Sequence, residues 1–103
     1  MIKHVVMFKI KGDISFEERE KTARELLSIF SPLESLCSVT EYRTGININR
    51  GDAAWDFVID SLFENQDKLQ EYQESTEHTN AVREASHISK EKAVIDYFIK
   101  KEQ

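Results

Sequence analysis

The chain contains few of the residues that build covalent or phosphate-binding sites: one cysteine, Cys37, one proline, Pro32, and three separate glycines in 103 residues. A lone thiol excludes an intramolecular disulfide and a thiolate zinc site within one chain, so we expect a reducing, cytoplasmic location. Isolated glycines cannot form a glycine-rich phosphate loop. Cys37 is expected to be structural, because no base lies beside it in the sequence.

Positive charge is also scarce, with 14 Lys and Arg against 19 Asp and Glu and a net charge of −5. No basic stripe is present to neutralise phosphates, so we expect no nucleic-acid partner. The longest apolar runs, such as residues 5–8, are far too short to span a bilayer, so no membrane association is expected. The length and the hydrophobic content of 40% fit one domain spanning residues 1–103.

The pattern of apolar residues predicts four strands and two main helices. The first helix starts at a capping box, Ser15 to Glu18, and ends before Pro32, while Asn65 caps the second helix. A short third helix follows, carrying Ala81, Val82 and Ala85 at its apolar positions. The predicted strands are residues 2–10, 38–46, 54–63 and 93–99.

The order β-α-β-β-α-β predicts an α+β fold, a ferredoxin-like plait with an antiparallel sheet and its helices on one face. The opposite face is also apolar, since it carries Val5, Met7, Val58 and Leu62. Apolar sheet faces need a cover, and two-fold symmetry is the most common in soluble oligomers. We therefore predict a homodimer formed through this sheet face.

Three collinear stretches resemble the stress-responsive dimeric A/B barrel (Dabb) family. They are Ile2-Lys3-His4-Val5-Val6-Met7-Phe8-Lys9, Leu69-Gln70-Glu71-Tyr72 followed by Glu77-His78, and Val94-Ile95-Asp96-Tyr97. The resemblance implies a homodimer whose two sheets form a dimeric α+β barrel. One motif departs from the family: His-Pro-x-His often follows the second helix, and here the segment reads Ser75-Thr76-Glu77-His78. Without the proline, the turn that positions His78 is expected to be less rigid.

His4, Tyr72 and His78 are the candidate catalytic residues. The resemblance to members that act as polyketide cyclases implies that His78 is a general base and that Tyr72 and His4 orient or polarise a carbonyl substrate. The predicted function is binding of a small apolar or aromatic molecule between sheet and helices. Its expected lining is Val6, Phe8, Phe57, Ile59, Leu69, Val82 and Val94.

Two alternatives remain besides simple binding. One is a cofactor-independent cyclase, lyase or isomerase acting through proton transfer. The other, a cofactor-free monooxygenase or haem-degrading enzyme, is disfavoured because residues 1–10 lack the asparagine that haem-degrading relatives use on the first strand. We expect no cofactor. A metal site is also not expected, because His4, His78 and His87 are not at i, i+4 spacing.

Asp96 allows two interpretations. If the last strand turns Asp96 toward the helices, its carboxylate lies beside His4 and sets the tautomer of the imidazole. The alternative, which we expect here, is an ion pair with Lys3 or Lys9 on a neighbouring strand.

Overall fold

The fold is an antiparallel sheet covered on one face by helices, seen in a computed structural model that describes residues 1–10, 12 and 14–99. The sheet order is β2-β3-β1-β4, with antiparallel pairing between neighbours. This arrangement confirms the predicted α+β ferredoxin-like plait. In chain order the elements are β1 (Ile2–Ile10), α1 (Phe16–Phe30), a 3-10 turn (Ser31–Ser35), β2 (Glu41–Ile46), β3 (Phe57–Phe63), α2 (Gln66–Glu74), α3 (Thr76–Ser86) and β4 (Ser89–Phe98).

The core lies between the sheet and the helices. Along β1 the even positions are buried and the odd positions are half-buried, as the alternation predicts for a central strand. The Phe8 ring packs against Phe30 of α1 and Phe57 of β3, with centroid distances of 5.2 and 6.2 Å. Each such side chain contributes about 1.5–3 kcal/mol when it leaves water. The three rings hold α1 against the centre of the sheet.

The first helix begins and ends as the sequence predicts. The Ser15 hydroxyl accepts a hydrogen bond from the Glu18 amide at 3.1 Å, which satisfies one of the free N–H groups of the first turn. The helix ends at Phe30, and Pro32 lies in the following 3-10 turn. Proline is accepted there because a first turn needs no amide donor at that position.

Four strand boundaries and the length of one helix differ from the prediction. Strand β2 begins at Glu41 rather than at residue 38, and β3 begins at Phe57 rather than at residue 54. The carbonyl of Trp55 accepts a hydrogen bond from the side-chain amide of Asn47, so a loop contact replaces strand pairing there. Strand β4 runs over Ser89–Phe98 rather than 93–99, and α3 has 11 residues where a short helix was expected.

In the part of the chain that the structure describes, no helix covers the other face of the sheet. Val5, Met7 and Val58 are half-buried there, while Ile95 and Tyr97 of β4 are 57% and 48% exposed. This is the apolar face predicted from the alternation of β1 and β3. Among the described residues, no helix is both long enough and apolar enough to cross a membrane.

Candidate functional site

A row of polar residues crosses the sheet beneath the helices. His4 of β1 stands opposite Ser61 of β3 on one side and opposite Asp96 of β4 on the other. Tyr42 of β2 stands opposite Ser61, so the row runs from Tyr42 through Ser61 and His4 to Asp96. Residues in register point to the same face of a sheet. All four side chains therefore belong to the face that carries the helices.

His4 is held from both sides of this row. Its side chain is 3% exposed, and its Nδ1 atom forms a hydrogen bond with Oδ1 of Asp96. The hydroxyl of Ser61, itself fully buried, donates to the carbonyl of His4 at 3.0 Å. A carboxylate acceptor at Nδ1 requires a proton on Nδ1 and leaves the Nε2 lone pair available when the ring is neutral.

The expected ion pair between Asp96 and Lys3 or Lys9 is wrong. Lys3 and Lys9 occupy odd positions of β1 and so point away from the helices, whereas Asp96 shares the face of His4. Lys3 instead places its Nζ atom 3.0 Å from Oδ1 of Asp60, a neighbour on the opposite face. The register of β4 against β1 decides between the two interpretations.

Tyr72 lies at the centre of the site. It is 1% exposed, and helix α2 directs its ring toward the sheet, one turn after Leu69. The ring meets His78 edge-on with 4.7 Å between centroids, and it lies 6.1 Å from the ring of His4. A third contact, with Phe63, has a centroid distance of 5.0 Å. Tyr72 thus joins the two histidines that the sequence analysis singled out.

His78 enters the site from the first turn of α3. Ser75 caps this helix, since its hydroxyl accepts from the His78 amide at 3.1 Å and donates to the Tyr72 carbonyl at 2.7 Å. Ser75 occupies the first position of the segment where family members often have His-Pro-x-His. The serine cap therefore holds the turn by hydrogen bonds where the family often has a proline, and the expected lower rigidity stays a prediction.

The electrostatic environment of His78 favours its neutral form. Burial lowers the pKa of its imidazole from the ordinary 6.5, and the nearby His4 and Lys92 lower the pKa further. A hydrogen bond with the backbone of Gln73 acts in the opposite direction and is the smaller influence. A neutral imidazole near pH 7 is the form that accepts a proton.

Tyr42 belongs to this site, and the sequence analysis missed it. Its hydroxyl oxygen lies 3.5 Å from that of Tyr72 in the interior. Burial is the main cause that raises the pKa of both phenols, so both remain neutral hydrogen-bond donors. The alternation within β2 shows which residues share a face with Tyr42. It does not show that Tyr42 stands opposite Ser61 of β3, because the sequence contains no signal for the register of the two strands.

The predicted lining residues fall into two environments. Five of them, at positions 6, 8, 57, 59 and 69, are buried in the core between sheet and helices. Val82 of α3 is half-buried, and Val94 of β4 is 52% exposed beside Asp96. The aromatic pair in this group packs against Phe30. Val94 thus lies at the exposed edge of the group, and a ligand-binding role for these residues stays a prediction.

The residue types that could bind a metal ion do not cluster in the described part of the chain. His87 caps the end of α3 and is exposed, well separated in sequence from the turn that carries His78. Within residues 1–10, 12 and 14–99, no group of three His, Cys, Asp or Glu side chains is arranged to hold a metal ion.

Known proteins share this architecture. The family model of the stress-responsive A/B barrel domain matches residues 2–99. A dimeric protein of unknown function from Bacteroides fragilis, with a ferredoxin-like fold, is 25% identical; the match covers 95% of each chain with a TM-score of 0.82. A Dabb family protein from Mesorhizobium loti is 24% identical over 97% of each chain, with a TM-score of 0.76.

A more distant structural match is a hydroxynitrile lyase from Passiflora edulis. It is 14% identical, and the match covers 99% of this chain and 95% of the lyase with a TM-score of 0.77. At this level of identity the similarity concerns the fold alone. Among proteins with curated descriptions, none matches this chain.

Proposed function

Because the chain belongs to the stress-responsive A/B barrel domain family, we propose that it is a cytoplasmic homodimer that binds a small apolar or aromatic molecule. The proposed site is formed by His4, Tyr72 and His78. The Tyr72 ring lies against His78 and 6.1 Å from the ring of His4, so the three side chains offer polar groups side by side to a planar ligand with one hydrogen-bonding group. The contact of Tyr72 with both histidines is the observation that carries this proposal.

The dimer is proposed to form through the uncovered sheet face. The related protein from Bacteroides fragilis is described as dimeric, and the face carries Val5, Met7 and Val58 in the middle of the sheet. Apolar area of this kind is stabilised when a second copy removes it from water. The Lys3–Asp60 ion pair lies on the same face and would be desolvated with it.

Scattering mass tests the dimer. We expect twice the chain mass of 12.0 kDa for the wild-type protein at micromolar concentration. Met7→Lys should shift the mass toward that of a monomer, because it places a charge in the centre of the interface. Ile48→Lys, at a loop residue that is 90% exposed, is the matched control and should leave the dimer intact. A wild-type particle of 12.0 kDa would rule out this interface.

Ligand binding is tested with a neutral aromatic ketone. Acetophenone combines a planar apolar ring with one carbonyl acceptor and carries no charge that would direct it elsewhere. In an NMR titration we expect its largest effects on the imidazole signals of His4 and His78. His78→Ala should weaken binding, whereas His87→Ala, at the exposed residue that follows the same helix, should not. Equal affinities in the two variants would contradict the proposed site.

Proton transfer is the second candidate function. It is favoured by the Asp96–His4 hydrogen bond together with the neutral form of His78. In this role, His78 removes a proton from a carbon next to a carbonyl and the Tyr72 hydroxyl donates to the oxygen as it becomes negative, while His4, whose Nδ1 is bound to Asp96, orients the substrate. The fold is shared with a hydroxynitrile lyase, so the same architecture carries an enzyme elsewhere.

Hydrogen exchange on the ketone distinguishes an enzyme from a binding protein. In D2O, a general base accelerates the exchange of the methyl protons of acetophenone for deuterium, which mass spectrometry detects. We expect acceleration by the wild-type protein and by His87→Ala, and none by His78→Ala. If the wild-type protein binds acetophenone but the methyl protons exchange no faster than in buffer, the enzymatic function is rejected. The binding function is then retained.

A further inference from the structure

A concave site lies at the other end of the sheet. A cleft of about 480 Å³ opens between the end of β1, the first turns of α1 and the connection between β2 and β3. Its floor includes Ile10, whereas the histidine site is at His4. Six residues along a strand span about 20 Å, so the two sites are separate. The volume is within the range of about 300–1,000 Å³ found for small-molecule pockets.

One wall of this cleft is apolar. It consists of Ile10 and Ala23, which are buried, the half-buried Ile46, and the ring of Phe16, which is 47% exposed. About half of the Phe16 side chain is in contact with water, and covering this apolar surface with a ligand would be favourable. The wall therefore suits a short hydrocarbon body.

A cationic group lies directly beside this apolar wall. The guanidinium of Arg50 stacks on the Phe16 ring, with its central carbon 3.5 Å from the ring centroid. Stacking fixes the plane of the guanidinium and leaves its edge free to donate two parallel hydrogen bonds. Lys90 at the start of β4 adds a second positive charge to the lining. Neither residue forms an ion pair with another residue in the described part of the chain.

The main acidic group in the cleft is already neutralised. Oδ2 of Asp56 accepts hydrogen bonds from the Ile10 amide at 2.8 Å and from the Arg19 guanidinium at 3.0 Å. Asp56 thereby fixes Arg19 in the lining while its own charge is compensated. Glu20 and Asp52 also line the cleft, and they lie at its partly and fully exposed parts. Arg19 keeps N–H groups beyond the one that binds Asp56, so it can add a hydrogen bond to an anion held by Arg50.

We propose that this cleft binds a small organic acid, with its carboxylate on the guanidinium edge of Arg50 and its hydrocarbon part against Phe16 and Ile46. Arg19 assists as the second donor. The ligand must carry both a carboxylate and a hydrocarbon part. An inorganic anion would leave the apolar wall in contact with water, and a neutral hydrocarbon would accept no hydrogen bond from Arg50. This site is independent of the histidine site and does not rest on the function proposed there.

The test compares hexanoate with its neutral analogue hexanamide. In 1H–15N NMR titrations of the wild-type protein, hexanoate should shift the amides of residues 16–23 and 46–54, and hexanamide should bind at least tenfold more weakly. Arg50→Gln should weaken hexanoate binding about tenfold, the factor expected for one charge-assisted hydrogen bond. Arg83→Gln removes the same charge from an exposed position on α3 and should change the affinity less than twofold.

Three results would overturn this proposal. The first is equal binding of hexanoate and hexanamide, a comparison that needs no variant. The second is a set of shifts centred on His78 instead of on Arg50. The third is inorganic phosphate binding as tightly as hexanoate, because the apolar wall would then contribute nothing. Ile46→Ala keeps the stacking of Arg50 on Phe16, so it should weaken hexanoate and leave phosphate unchanged, which measures the contribution of the apolar wall.

Discussion

Removal of the Asp96 carboxylate should destabilise the protein through His4. The imidazole is 3% exposed and donates from Nδ1 to Oδ1 of Asp96, whose side chain is 40% exposed. In Asp96→Asn the amide oxygen still accepts this hydrogen bond, so only the charge is lost. In Asp96→Ala the buried N–H has no partner within the sheet. The two variants therefore separate the contribution of the charge from that of the hydrogen bond.

The magnitudes follow from this geometry. A hydrogen bond to a charged group contributes about 1.5–3 kcal/mol and a neutral one about 0.5–1.5 kcal/mol. Because solvent reaches Asp96 and screens its charge, we expect a loss of about 1 kcal/mol in Asp96→Asn. An unsatisfied buried donor costs about 1–3 kcal/mol, so the loss in Asp96→Ala should be larger, about 2 kcal/mol.

Two measurements test the reasoning. In urea unfolding at one fixed protein concentration, the free energy of unfolding should be highest for the wild type, lower for Asp96→Asn and lowest for Asp96→Ala. Glu91→Gln and Glu91→Ala alter an exposed carboxylate of the same strand and should stay within about 0.5 kcal/mol of the wild type. At a pH where the ring is neutral, 15N shifts should show the proton of His4 on Nδ1. Two results would refute the role of Asp96. One is a proton on Nε2 of His4 in the wild-type protein, and the other is a loss of stability in the Asp96 variants no larger than that in the Glu91 variants.

Three further predictions concern the pH response, the helix cap and the core. The folded pKa of His78 is lowered, so the unfolded chain binds a proton first as the pH falls through 6.5. The contribution of neutral His78 to the free energy of unfolding should be fully present above that pH and should decrease as the pH falls toward the folded pKa. In urea unfolding at several pH values, His78→Gln should reduce this decrease, whereas His87→Gln should not. Ser75→Ala and Ser15→Ala should each cost about 1 kcal/mol in urea unfolding. Only Ser75→Ala should shift the imidazole signal of His78, since only that cap adjoins the site; equal signals in both variants would contradict its positioning role. Phe30→Ala should lose about 3–5 kcal/mol in the same assay, because Phe30 is 1% exposed between two other rings. A loss below 1 kcal/mol would show that the core is not packed as described.

Much of the fold was predictable because its signals are local. The alternation of β1, the Ser15 cap and the spacing of Ala23, Leu26 and Phe30 each depend on neighbouring residues. Boundaries were less predictable where a distant side chain intervenes. At the start of β3, the Asn47 side chain takes the carbonyl that a longer strand would have paired, and no nearby residue announces this.

The candidate site shows the same division. His4, Tyr72 and His78 were identified through short family motifs, and the structure brings all three together. Tyr42 and Asp96 required the strand register, because a shift of one residue would turn either side chain to the opposite face. The preference for an ion pair of Asp96 with Lys3 or Lys9 failed for that reason.

The amino-acid sequence by itself determined which residues are apolar at periods of two and of 3.6, and hence the strands, the helices and the two-sided sheet. Only the tertiary structure decided which residues of distant strands stand opposite each other. Register depends on contacts between segments far apart in the chain and placed Asp96 on His4, while the packing of helices and loops on the sheet placed Tyr72 beside Tyr42 and Arg50 over Phe16.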